Sequence, residues 1–186
     1  MADLVYAINA SLDGYIEDEQ GNFDWSRPDD ELLAAVNDLE RRADTYLYGR
    51  RMYETMVVWE TMSVGADQLP GLRDFGELWR LAEKIVYSRT LQEVTSARTR
   101  LERELDIGAV QRLKETSVTD ITVGGAELAA QAFAAGLVDE CYLFLHPIIL
   151  GGGKRALPDN VLARLTLLDE RRFRSGVVHL HYRIVT

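Results

Sequence analysis

The chain has 186 residues, 47% of them apolar and 27% charged, which is typical of one globular domain. Its formal net charge of −9 argues against nucleic acid or an anionic membrane as partner, because both require a basic face. The single cysteine, Cys141, excludes an internal disulfide, and no apolar run approaches the roughly 18 residues of a membrane helix. We therefore predict one cytoplasmic domain over residues 1–186.

Predicted strands and helices alternate over the first two-thirds of the chain. Short apolar runs rich in strand formers predict strands at 4–10, 45–49, 84–88 and 121–123. Helical periodicity predicts helices at 28–43, 50–59, 109–115 and 127–135. The segment 69–76 contains Gly and Pro and is predicted to be a loop, whereas 101–106 fits either a strand or a helix.

The last third of the chain is rich in strand formers. The stretches "CYLFLHPIIL", "LTLLDERRF" and "VVHLHYRIV" predict three strands, and the "RSG" between the last two leaves no room for a helix. Together with the alternating part, this pattern predicts an α/β fold with a mixed sheet that ends in an antiparallel hairpin. No linker or repeat divides the chain.

Two predicted strand-to-helix junctions carry glycine, in "YLYGRRMYE" and "ITVGGAELA". A helix N-terminus exposes unpaired N–H groups, and glycine lets a phosphate approach the backbone. Ser88 and Arg89 in "YSRT" end a third strand with groups suited to a phosphate monoester. Each glycine alone is explained as well by a tight turn, and neither junction matches the G-x-G-x-x-G or the P-loop pattern. Three such strand ends in one small domain favour an anionic, dinucleotide-like ligand.

These motifs resemble the dihydrofolate reductase superfamily, in particular the branch related to the reductase domain of bifunctional riboflavin-biosynthesis enzymes. "SLDGYI", "LYGRRMYE", "VYSRT" and the block 124–153, with its Gly-Gly, "GLVDE" and "LGGG", occur in the order typical of that family. The resemblance spans nearly the whole chain. It implies a three-layer fold with a central, mostly parallel sheet and helices on both faces, and an NADPH-dependent reductase that forms a homodimer.

The resemblance also implies a set of NADPH-binding positions and a cis peptide bond between the two glycines of the Gly-Gly pair. Those positions are Ala7, Gly49, Arg50, Arg51, Ser88, Arg89, Gly124, Gly125, Ala126 and Leu128. The loop after the first strand is expected to lie beside the nicotinamide.

Hydride transfer also requires a proton source, and three carboxylates are candidates. The folate reducers of the superfamily carry an acid in a Pro-x-Asp motif, which here implies Asp30, with Glu31 next to it. Asp13 in the first loop is the third candidate. The alternatives stay open, because Asp30 and Glu31 also suit an ordinary first helical turn, and Asp13-Gly14 an ordinary turn.

The sequence leaves the substrate open. The leading prediction is a small pteridine-like or pyrimidine-like heterocycle, which Trp25 is placed to cover. Riboflavin-type reductases usually carry a lysine where Tyr15 stands, so a ribose-phosphate substrate of the riboflavin pathway is the alternative. A non-catalytic NADP-binding accessory protein is a third possibility. His179 and His181 alternate on one predicted strand but have no third ligand, so no metal site is predicted.

Overall fold

The computed structural model describes residues 1–63 and 70–185, which form five α-helices and ten strands. The strands are β1 Leu4–Ser11, β2 Tyr15–Glu17, β3 Ala43–Gly49, β4 Glu83–Tyr87, β5 Thr99–Glu102, β6 Asp120–Gly124, β7 Glu140–His146, β8 Lys154–Arg155, β9 Arg164–Arg172 and β10 Val178–Val185. The helices are α1 Asp30–Glu40, α2 Arg50–Met56, α3 Pro70–Leu81, α4 Ile107–Thr116 and α5 Ala126–Ala134. Short 3-10 turns cover Asp24–Ser26 and Val57–Glu60.

Eight of the strands form one sheet in the order β5-β4-β3-β6-β1-β7-β10-β9. The strands from β5 to β7 in that order are parallel, and β10 pairs antiparallel with both β7 and β9. The predicted mixed sheet with an antiparallel C-terminal hairpin is therefore confirmed. The short β2 and β8 pair separately with each other.

Alternating side chains divide the core into two layers, one on each face of the sheet. Leu4 and Tyr6 of β1 point to one face, where they pack with Leu128 of α5 and Val110 of α4. Val5 points to the opposite face and packs with residues of α1. The helices α2 and α3 cover the remainder of that second face, against Tyr46 and Tyr48. Period-two alternation thus produces the predicted three layers.

One predicted loop is wrong. Residues 70–76 belong to α3, while Leu69, the first residue of the predicted loop, lies outside the described residues. Pro70 stands at the first helical position, where its missing N–H costs nothing. A Cβ at Gly71 would lie 2.9 Å from the Leu33 side chain, so this glycine permits close packing of α3 on α1. The segment 101–106, left open between strand and helix, ends β5 and leads into α4.

The Tyr48 ring lies against Gly124 where β3 pairs with β6. Tyr48 and Gly124 are register partners, and a Cβ at Gly124 would lie 2.7 Å from Cε1 of Tyr48. The Tyr48 side chain and the end of β6 at Gly124 are both buried, so neither can move away without disturbing the core.

We predict that Gly124→Ala destabilises the fold by about 1–3 kcal/mol, because the added methyl overpacks a dense core. Gly49→Ala is the matched control, since its added Cβ would meet only Leu128, at an ordinary 3.7 Å. That control is expected to change the free energy of unfolding by less than about 1 kcal/mol. Urea unfolding of the three proteins measures both changes, and equal stabilities would contradict the prediction.

Candidate active site

A cavity of about 860 Å³ lies between the sheet and the helices α1, α2 and α3. Ala7 and Asn9 of β1, Tyr48 of β3, and Thr122 and Gly124 of β6 line its sheet side. The cavity therefore reaches the carboxyl ends of three neighbouring parallel strands, the usual place for a ligand in an open α/β sheet.

The helical side of this cavity is mostly apolar. Leu33 and Val36 line it from α1, and Met52, Met56 and Met62 line it from α2 and the segment that follows. Every methionine beyond Met1 is thus in this wall. Methionine side chains are flexible and polarisable, so the wall can adapt to a flat ligand.

The two glycine junctions lie side by side at the mouth of this cavity. The helix α5 begins directly after Gly125, and no side chain caps its N-terminus. A Cβ at Gly125 would lie 3.9 Å from the backbone N of Gly49, the residue before α2. An anion at Gly125 would therefore meet the backbone N–H groups of the first turn of α5, which fits the pyrophosphate of a dinucleotide.

The predicted cis bond between Gly124 and Gly125 is wrong. The peptide bonds of the described residues are all trans. Gly125 makes the turn instead through its φ of 95°, a conformation that glycine adopts without steric cost.

The third predicted phosphate site, at the end of β4, is connected to the Gly49 junction by a hydrogen bond of Arg50. Gly49 of β3 pairs with Tyr87 of β4, and Arg50 donates from Nη1 to the Thr90 hydroxyl at 2.9 Å. Ser88 is buried and accepts from the backbone N–H of Thr90 at 3.2 Å. Arg89 is exposed, and its guanidinium lies 3.3 Å from Glu104.

The predicted cofactor positions divide into three groups. Ala7, Arg51, Gly124, Gly125 and Ala126 line the cavity. Gly49, Arg50, Ser88 and Arg89 lie beside it along the same edge of the sheet. Leu128 is buried in the core, where its Cβ would meet a Cβ added at Gly49. Leu128 thus packs against the Gly49 junction from the core and does not line the cavity.

Comparison with known proteins identifies the family. The family model of the RibD C-terminal domain matches residues 2–179. The chain belongs to the RibD C-terminal domain family. It is 32% identical over 184 residues to the uncharacterized protein YyaP of Bacillus subtilis (strain 168), with 96% of this chain and 93% of YyaP covered.

Solved structures confirm the fold of this RibD C-terminal domain. A crystal structure from Shewanella sp. PV-4, named as a candidate riboflavin biosynthesis protein, has a TM-score of 0.78 at 20% identity, with both chains covered fully. A Thermotoga maritima diaminohydroxyphosphoribosylaminopyrimidine deaminase/5-amino-6-(5-phosphoribosylamino)uracil reductase has a TM-score of 0.69 at 16% identity. There the match covers 99% of this chain and 57% of the larger protein. The predicted dihydrofolate-reductase-like fold is therefore confirmed.

In this RibD C-terminal domain, Asp13 joins two loops. Its carboxylate accepts from the backbone N–H groups of Leu150 at 3.1 Å and Gly151 at 2.7 Å. Hydrogen bonds from the Ser11 side chain and from these amides lower the pKa of Asp13 to about 2. A carboxylate held so firmly in its ionised form is a weak proton donor at neutral pH.

The other two predicted acids lie outside the described cavity lining. Glu31 is 2.9 Å from Arg171 and 3.3 Å from Arg174, and the hydrogen bonds from Arg174 and Arg171 lower its pKa. Asp30 is exposed at the start of α1. The structure thus does not bring Asp13, Asp30 and Glu31 together, and their catalytic role stays a prediction.

Glu40, which was not among the predicted acids, contributes a carboxyl group to the cavity lining. Leu33, Val36 and Glu40 are spaced i, i+3, i+7 on α1, so they share one helical face, and all three line the cavity. Burial raises the pKa of Glu40 to about 7, and a hydrogen bond with Tyr46 offsets part of that effect. An acid inside an apolar helical stripe was the signal that could have revealed it.

Asn9 and His146 form a second polar pair at the ends of β1 and β7. Oδ1 of Asn9 lies 3.0 Å from Nε2 of His146, and burial lowers the pKa of this histidine. A neutral His146 that donates from Nε2 leaves the Asn9 amide N–H₂ available to a ligand in the cavity. Trp25 packs edge-on against His146 at 5.5 Å between ring centroids, and its predicted role in covering the substrate stays a prediction.

The negative charge of Glu127 in the first turn of α5 is balanced. Nζ of Lys154 lies 2.6 Å from Oε1 of Glu127, and this hydrogen bond lowers the carboxyl pKa. Glu127 therefore does not oppose an anion at the helix N-terminus with an unpaired charge. Within residues 1–63 and 70–185, no helix is long and apolar enough to cross a membrane.

The raised pKa of Glu40 makes stability depend on pH. The folded protein holds this proton more tightly than the unfolded chain, whose glutamate pKa is about 4.3. The stabilisation is complete below that value and is lost as the pH rises through about 7. We predict that wild-type stability falls between pH 5 and pH 8 by about 3 kcal/mol more than that of Glu40→Gln.

Chemical unfolding of both proteins at the two pH values measures the free energy of unfolding. Subtracting the change in Glu40→Gln from the change in the wild type cancels the contributions of all other titrating groups, because both proteins share them. Parallel losses of stability in the two proteins would contradict the prediction.

Proposed function

We propose that this RibD C-terminal domain is an NADPH-dependent reductase that transfers hydride to a small pteridine-like or pyrimidine-like heterocycle. The observation that carries the proposal is the continuity between the cavity and the paired glycine junctions at Gly49 and Gly125. A dinucleotide on the junctions would place its reactive ring in the cavity, next to the acceptor.

NADPH supplies the hydride when it is bound, and the residues of this chain hold and orient it. The N-terminus of α5 at Gly125 would bind the pyrophosphate. Arg50, Ser88 and Arg89 would bind the adenosine 2′-phosphate, since guanidinium and hydroxyl groups suit a phosphate monoester. Ala7 leaves room on β1 for the nicotinamide, and the Asn9 amide would orient a carbonyl group beside it.

The cavity wall favours a substrate without phosphate. Of the three cations in its lining, Lys154 is the least exposed, and it is paired with Glu127 at 2.6 Å. The rest of the helical wall is apolar, and burying a charged phosphate against it would be costly. We therefore rank a ribosylaminopyrimidine phosphate of the riboflavin pathway as the second candidate.

Two measurements separate the reductase from an accessory protein that only binds NADP. A reductase oxidises NADPH in the presence of at least one substrate from a panel of pteridines and pyrimidines, and NADPH raises its Tm. A Tm shift without oxidation would support the accessory protein. The absence of any Tm shift would overturn the cofactor assignment.

We predict that Arg89→Ala weakens NADPH binding about tenfold and leaves NADH binding unchanged, because one charged hydrogen bond to the 2′-phosphate is lost. Arg112→Ala, an exposed arginine on α4, is the matched control and is expected to bind both nucleotides as the wild type does. Isothermal titration with each nucleotide gives the affinities. An equal loss of NADPH and NADH affinity would contradict the assignment of Arg89.

The strand β9 supports a homodimer. It is an edge strand whose nine residues are all exposed, and Leu165, Leu167 and Leu168 have relative exposures of 44%, 46% and 46%. The strand also carries five charged residues, but its three exposed leucines give this unpaired edge an apolar surface that a second chain would cover.

We predict a dimer of the 21.0 kDa chain in solution and a monomer for Leu167→Lys. Val118→Lys, at a site with 95% relative exposure away from β9, is the control and is expected to remain dimeric. Size-exclusion chromatography with light scattering measures the masses. A monomeric wild type, or a dimeric Leu167→Lys, would argue against this interface.

A further inference from the structure

A lysine side chain lies at the mouth of the cavity, in a position that the stability of the fold does not require. We propose that Lys154 donates a hydrogen bond to the pyrophosphate of the nicotinamide cofactor, beside the first turn of α5. Lys154 is not among the predicted cofactor positions. The inference rests on the proposed function and deepens it, because it adds a charged side chain to the backbone N–H groups of that site.

The backbone on both sides of Lys154 is fixed by close packing. Lys154 belongs to β8 and is the register partner of Glu17 in β2. A Cβ at Gly153, which has a φ of 126°, would lie 1.9 Å from the backbone O of Glu17, so only glycine lets the two strands approach this closely. Further along, the buried hydroxyl of Tyr6 donates to the backbone O of Ala156 at 2.7 Å. The Lys154 side chain therefore starts from a defined place beside the cavity.

The side chain of Lys154 turns into the cavity mouth, whereas that of its neighbour turns away. Lys154 lines the cavity together with Gly125, and only 22% of its side chain is exposed. Its Nζ lies 2.6 Å from Oε1 of Glu127, in the first turn of α5. Arg155, by contrast, lies 3.4 Å from Asp159, and 58% of its side chain is exposed. The Lys154 ammonium group is therefore bound to the helical turn that begins at the cavity lining.

The ion pair with Glu127 does not by itself account for this placement. The N-terminus of a helix carries a partial positive charge, so a lysine there has the unfavourable sign. Glu127 offsets that repulsion, but 75% of its side chain is exposed, and an ion pair so open to water contributes little to stability. The hydrogen bond from Lys154 lowers the pKa of Glu127 and the charge of Arg51, in the first turn of α2, adds to this effect. Two cations thus lie close to a helix start that already favours an anion.

A phosphate group beside α5 gives this concentration of positive charge a partner. The ammonium group of lysine has three N–H donors, so Lys154 can keep its hydrogen bond to Glu127 and donate another to a phosphate oxygen. Charge-assisted hydrogen bonds of this kind are stronger than neutral ones. An ammonium group engaged in this way is not free to bind a phosphate on the substrate, which agrees with a substrate that carries none.

The test compares ligands that contain or lack the pyrophosphate. Isothermal titration gives the affinities of NADPH, NADH and adenosine 2′-phosphate, which has no pyrophosphate, and of ribose 5-phosphate, which stands for a phosphorylated substrate. The proteins are the wild type, Lys154→Met, Lys154→Arg and Glu127→Gln. Arg155→Met is the matched control, since it removes the same charge from the adjacent residue of β8, outside the cavity lining.

We expect Lys154→Met to bind NADPH and NADH about tenfold more weakly than the wild type, because one charged hydrogen bond is lost, and to bind adenosine 2′-phosphate as the wild type does. Lys154→Arg keeps the charge and should retain most of the affinity. Arg155→Met is expected to match the wild type for every ligand. Glu127→Gln removes the same ion pair but keeps the ammonium group, so it should bind both dinucleotides at least as tightly as the wild type.

Equal losses of affinity in Lys154→Met and Glu127→Gln would overturn the proposal, because the ion pair would then act only by supporting α5. An unchanged affinity of Lys154→Met for both dinucleotides would overturn it as well, and so would a loss confined to ribose 5-phosphate, which would assign Lys154 to the substrate. Cooperative thermal unfolding verifies that each variant is folded.

A failure of the proposed function would be distinguishable from a failure of this inference. If the wild type binds neither NADPH nor NADH, the cofactor assignment fails, and inorganic pyrophosphate becomes the probe of Lys154. Weaker binding of pyrophosphate by Lys154→Met than by the wild type would then support Lys154 as a phosphate ligand. Equal binding by the two proteins would overturn that role.

Discussion

The site depends on the parallel pairing of β3 with β6, and on the contact of the Tyr48 ring with Gly124. This pairing places Gly49, the residue before α2, next to Gly125, the residue before α5. No side chain fits between the ring and the β6 backbone, so the two helix termini open onto one space. The two predicted anion sites can act as one extended site only because the strands are neighbours and in this register.

The electrostatics of the cavity change from its mouth to its inner end. At the mouth, charges come in pairs, such as Lys154 with Glu127, and these pairs remain in contact with solvent. At the inner end, Glu40 has Tyr46 as its hydrogen-bond partner, and burial raises its pKa to about 7. A ligand that spans the cavity thus meets ionic groups at one end and neutral hydrogen-bonding groups at the other.

Much of this arrangement was predictable, because it follows from local patterns. Strand alternation, the glycine junctions and the family resemblance predicted the fold and the neighbourhood of Gly49, Ser88 and Gly124. The ion-pair and hydrogen-bond partners of the charged side chains were not predictable from local sequence patterns. Glu31 has the right position in α1 for an acid, but its helical face directs it to Arg171, which is distant in sequence. Glu40 could have been recognised as the acid within the Leu33 and Val36 stripe, since a charge there must face either a partner or a cavity.

Met52, Met56 and Met62 form one side of the cavity with side chains that carry no fixed shape. Unbranched thioethers reposition at little energetic cost, so this side of the cavity can adjust to different ring substituents without a change in the backbone. The same choice exposes the wall to oxidation, because a sulfoxide would introduce a polar, chiral group where the ligand expects a soft apolar surface. In this chain, the shape of that side of the cavity and the susceptibility of its surface to oxidation therefore depend on the same three residues.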